Sequence, residues 1–142
     1  MADFNMFDAF PEHLFEKVHD FSADSFALFL CAAANAPVAG NSVLADLTEI
    51  SYTNASSRAL TVSTSAQTSG VYKWVVADKV ITASGAVGPF RYVGIYNDTP
   101  TSPADPLIGW YDYGSEITLA DTETLTVNFD DAEGVLQAAL AP

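Results

Sequence analysis

A chain of 142 residues, 49% of them apolar, is long enough to bury one good core, and its hydrophobic content excludes an intrinsically disordered protein. Against 18 acidic residues stand only Lys17, Arg58, Lys73, Lys79 and Arg91, a formal net charge of −13. Such a surface repels nucleic-acid phosphates and anionic membranes, so neither is an expected partner. The acidity reads either as a solvated surface or as complementarity to a basic partner or a cation.

The N-terminus, Met1-Ala2-Asp3-Phe4, lacks the basic and apolar regions of a signal peptide, so synthesis in the cytoplasm is expected. Phe7, Phe10, Leu14, Val18 and Phe21 recur at helical steps. Pro11 fits the first turn of a helix over about 11–19, where its missing N–H costs nothing. Residues 3–10 then form an aromatic arm that either packs on its own domain or docks on a neighbour. The longest apolar stretch, 26–34, is too short to span a bilayer. Within it, residues 26–31 read as a buried strand. Its cysteine, Cys31, is expected to be a small core hydrophobe, not a nucleophile.

Residues 42–50 read as a connection with one helical turn. Strands are then expected at 60–64, 71–77, 80–83, 90–96, 107–113, 125–129 and 135–140. A turn separates the first two at 67–70, and Gly114 ends the strand before it. Pro100, Pro103 and Pro106 make 99–106 a rigid exposed loop. Short strands with regular turn signals predict a mainly β chain, an antiparallel β-sandwich or barrel-like domain. Residues 1–24 are its arm and short helix, and residues 25–142 a single antiparallel β domain.

The residue types that carry chemistry do not converge in sequence. Gly85-Ala86-Val87-Gly88 lacks the further residues of a nucleotide-binding loop and reads as a turn. His13, His19 and Cys31 match no zinc spacing, and the two histidines are expected on an exposed helix face. Asp121, Glu123, Asp130, Asp131 and Glu133 crowd the C-terminal third without forming a calcium loop. Trp74, Trp110, Tyr111 and Tyr113 offer faces for stacking a sugar, although alternating aromatics on strands are more often core or interface. The expectation is a chain that is not an enzyme and has no cofactor and no metal.

Several blocks do carry a likeness: 17–21, 41–50, 65–73, then Gly88-Pro89-Phe90-Arg91-Tyr92, Tyr96-Asn97-Asp98 and 106–114. In these the chain resembles small bacteriophage virion structural proteins encoded near the major capsid protein. The likeness covers most of residues 17–136 and leaves the arm outside it. It implies a head decoration (cement) protein that stabilises the outer surface of an icosahedral head. The implied partners are the major capsid protein and further copies of itself, as a homotrimer, and the implied location is the virion. Phe4, Met6, Phe7 and Phe10 are the expected interface anchors, because aromatic side chains dominate interface hot spots. The alternatives are a tail or head-to-tail connector protein and a carbohydrate-binding surface module.

Overall fold

The computed structural model describes residues 2–141. The chain is mainly β and every strand pair is antiparallel. In order come β1 (Asn5–Met6), α1 (Phe10–Phe15), β2 (Phe26–Cys31), β3 (Val62–Thr68), β4 (Val71–Val76), β5 (Lys79–Thr82), β6 (Val87–Asn97), β7 (Leu107–Leu119), β8 (Thr124–Val127) and β9 (Leu136–Ala139). The described strands form a four-stranded sheet β1-β7-β6-β2, a three-stranded sheet β3-β4-β9 and a two-stranded sheet β5-β8, without closing into a barrel. Leu44–Asp46 is the helical turn expected in 42–50.

β2 shows why an uninterrupted apolar run is a strand here. Phe26, Leu28 and Leu30 enter the main core with Trp74, Val76, Ile81, Phe90, Ile95, Ile108 and Phe129. The alternate residues Ala27, Phe29 and Cys31 enter a second cluster with Phe7, Tyr96 and Leu107 on the opposite face of the sheet. A strand buried on both faces has no reason to alternate. The arm and the half-buried Leu44 and Leu47 cover this second cluster. Residues 2–24 therefore belong to the same packed body as the strands.

The outer edge of β2 is sealed by 49–60 rather than by a strand. Leu28 N–H donates to the Arg58 carbonyl, Leu60 N–H to that of Phe26, and Ile50 N–H to that of Leu30. Tyr52 OH accepts from Leu30 N–H at 2.8 Å and donates to Glu49 Oε1 at 2.6 Å. Arg58 lies over the Tyr52 ring at 3.6 Å and donates to the Leu28 carbonyl. Leu60, expected in a strand with 61–64, serves this seal, and the strand itself is β3.

Two glycines let the layers approach. A Cβ on Gly94 would lie 2.0 Å from Cζ of Phe29, and one on Gly109 would lie 2.6 Å from the Asn5 carbonyl oxygen. Gly94 thus makes room for a core ring and Gly109 for the arm. Gly114 departs from expectation. It does not end β7, which continues to Leu119 and pairs with the start of β6. Its φ is +95°, and its N–H is held by Asp112 Oδ1 at 2.8 Å, so it bends a strand rather than stopping one. Likewise Val87 and Gly88 open β6 instead of completing a turn.

The helix is shorter than the predicted 11–19. It stops at Phe15, Glu16 caps it, and Lys17 takes φ +64°. Val18 N–H donates to the His13 carbonyl at 2.9 Å, the six-to-one bond of a Schellman cap. The apolar stripe continues past this reversal because Phe21 enters the core from the returning chain, not from a further helical turn.

Candidate functional site

That reversal creates the most distinctive surface feature. Between α1 with residues 17–22 and the sheet β3-β4-β9 lies an open groove of about 850 Å³. Met6, Leu14 and Phe15 form one wall, and Tyr72, Leu136 and Ala138 the other. Strand register explains the second wall. Leu136 and Ser65 lie opposite Trp74, and Ala138 lies opposite Tyr72, so these residues share one face. The Trp74 end of that face is covered by Phe21 and Phe26, at ring separations of 4.9 and 4.8 Å. The Tyr72 end runs beyond the core and stays open. Met6 is 51% exposed and Phe15 86% exposed.

His19 lies at the base of the groove and corrects the sequence expectation. It is buried, only 6% exposed, not on an outer helix face, because the chain folds back after Lys17. Its ring is 5.4 Å from Phe10 and 5.6 Å from Phe21. Asn97 Nδ2 donates to Asp24 Oδ2 at 2.7 Å and faces His19 Nδ1 at 3.1 Å, while its Oδ1 accepts from Thr99 N–H. The amide orientation makes Nδ1 the acceptor, which places the imidazole proton on Nε2. Burial, and then the nearby His13, lower the His19 pKa to about 4, so the ring is neutral at pH 7. Nε2 has no hydrogen-bond partner. Asp20, Ser22, Ser65 and Tyr72 along the groove are engaged with one another. Ser22 Oγ donates to Asp20 Oδ1 at 2.5 Å, and Ser65 Oγ and Tyr72 OH lie 2.7 Å apart.

Of the four expected anchors, only Met6 is a free surface. Phe7 is 1% exposed and Phe10 is 4% exposed. Phe7 packs on Trp110 at 4.6 Å, and the half-buried Phe4 packs on Tyr111 at 4.9 Å. β1 pairs with β7, Asn5 opposite Trp110 and Met6 opposite Gly109. The arm therefore closes its own domain, and Phe7 and Phe10 are core residues. Phe15, which lies off the apolar stripe, is the surface aromatic that sequence reasoning missed. The signal was available: an apolar residue outside the buried stripe of a short amphipathic helix has no core to enter.

The other candidate groups are committed to structure. Burial, and then Glu49, push the Cys31 thiol up to about 12, so it carries no thiolate at neutral pH. Trp74 is fully buried, Trp110 packs on Phe7, and only Tyr113, 57% exposed, presents a face to solvent. Asp130 Oδ1 accepts from the N–H groups of Ala132 and Glu133, Glu123 Oε2 accepts from Ala120 N–H, and Glu133 pairs with Lys73 at 3.2 Å. These carboxylates close turns. Among the described residues no group of three or more His, Cys, Asp or Glu is placed to hold a metal ion, and no helix is long and apolar enough to cross a membrane. Comparison with family models, with curated proteins and with solved structures finds no match.

Proposed function

We propose that this chain is a phage virion structural protein that decorates and stabilises the outside of an icosahedral head by gripping the major capsid protein. The observation that carries the gripping role is the open apolar groove with Phe15 and Met6 exposed at its rim. Apolar surface of this kind is characteristic of protein-protein contact sites. The virion setting rests on the resemblance of residues 17–136 to small virion proteins. The sealed β2 edge and the doubly buried sheet supply a rigid platform, so the contact surface is preorganised and little ordering entropy is lost on docking.

A specific contact of this kind buries on the order of 1,000 Å² in total. Copies linked through symmetry, as in the proposed homotrimer, convert modest single contacts into high avidity. The direct test adds purified protein to heads assembled without it. A decoration protein saturates the shell in many copies and raises its resistance to heat or to low ionic strength. Binding at a single vertex would instead support the tail or connector reading, and no binding to heads would overturn the proposal.

A further inference from the structure

The groove has a chemistry that narrows what it receives. Its walls are apolar, yet its surroundings are acidic. Asp20 is among its lining residues, and Asp8, Glu12 and Glu16, on or beside α1, are exposed. Lys17 is the cation among the lining residues, in a chain whose net charge is −13. Two such surfaces repel each other, which disfavours a second copy in the groove. An apolar segment carrying Lys or Arg is attracted.

Two further observations set the form of that segment. β9 is an edge strand of the three-stranded sheet, and Leu136, Gln137 and Ala138 line the groove. Its outer side meets no other strand among the described residues, so its main-chain groups are open to pairing. β9 also carries no charge or proline, the usual guards of an exposed edge. The second observation is that the apolar Leu136 and Ala138 of the groove wall alternate along β9 with Gln137. A strand added beside β9 sets every second side chain on that same face.

We infer that the groove receives an extended segment of a partner protein, basic and apolar in alternation, which adds as a strand to β9 with its apolar side chains between Phe15 and Ala138. This inference rests on the reading that the chain grips other proteins, and it names the chemistry of the gripped segment. Main-chain pairing supplies affinity in such strand addition, and side-chain pockets supply selectivity.

The test uses the full chain and a random library of displayed peptides, each about twelve residues long. The selected peptides should share alternating apolar residues with Lys or Arg and no acidic residues. Synthesised peptide should protect the amides of 136–139 from hydrogen exchange. Phe15→Asp and Ala138→Glu should each weaken binding about tenfold or more, and the double charge reversal Glu12→Lys, Glu16→Lys should weaken it further at low salt. Phe15 and Ala138 are exposed, and an unchanged melting curve for Phe15→Asp separates lost binding from lost folding. The inference is overturned by any of these outcomes: no enriched peptide, enriched acidic peptides, binding indifferent to both substitutions, protection elsewhere, or concentration-dependent self-association abolished by Phe15→Asp. A protein that coats heads yet selects no peptide would sink the groove assignment and leave the decoration reading standing. A protein that selects peptides but is missing from heads would do the reverse.

Discussion

Acidification provides a sharp probe of the fold beneath the groove. Folded, His19 resists protonation until about pH 4, whereas in the unfolded chain it titrates near 6.5. The cause is burial among Phe10, Phe21 and Asn97, with the proton already on Nε2. Above pH 6.5 both states are neutral at this residue, and its titration contributes nothing to stability. As pH falls from 6.5 to 4 the unfolded chain takes up a proton that the folded chain refuses, so stability is lost across that window and levels off below it. The two values, 6.5 and about 4, are 2.5 apart. At about 1.4 kcal/mol for each tenfold change in proton affinity, the loss has an upper bound of roughly 3–4 kcal/mol. Urea denaturation at several pH values between 7 and 4 measures it, with His19→Phe as the comparison. That variant keeps an aromatic ring between Phe10 and Phe21, shares every carboxylate with the parent, and cannot titrate at this position. The stability difference between the two proteins should shift by about 2–3 kcal/mol in favour of the variant at pH 4. A difference that stays flat would mean that the imidazole titrates alike in both states, and the buried neutral His19 would be wrong.

Other substitutions test separate parts of the structure. Gly94→Ala drives a methyl into Phe29 and the Gly109 carbonyl and should cost about 1–3 kcal/mol in chemical denaturation. Tyr52→Phe leaves the Leu30 N–H without its partner at 2.8 Å and should cost about 1–3 kcal/mol, read in the same way. Lys17→Gly relieves a left-handed backbone at φ +64° and should raise stability by about 0.5–1 kcal/mol. A loss instead would show that the Lys17 side chain contributes more than its backbone strain costs.

The mainly β architecture was legible because its signals are local. Alternation at 125–129 marked β8, the turn at 67–70 marked the hairpin, and the short apolar run from Phe26 to Cys31, ending at a small-residue loop, marked a buried strand. The misreadings fall where a residue's usual role was overridden by its neighbours. Gly114 reads as a stop, yet Asp112 holds its N–H and the strand bends through it. Lys17 gives no helix-stop signal, since glycine normally takes that backbone position, so the helix read too long and His19 was placed on its outer face. The same error hid the groove, which exists only because the chain turns back at Lys17. Phe7 looked like a free anchor because the strand that claims the arm, β7, lies about a hundred residues away, and Phe10 because the chain reversal that brings His19 and Phe21 onto it had no sequence signal.

Copy number in assembled particles tests the central claim most directly. Quantitative mass spectrometry of purified virions should find this chain in a fixed, many-copy ratio to the major capsid protein, and Phe15→Asp should lower that ratio without lowering the amount of soluble folded protein. Particles that lack the chain, or that carry only the few copies of a single-vertex component, would contradict the account.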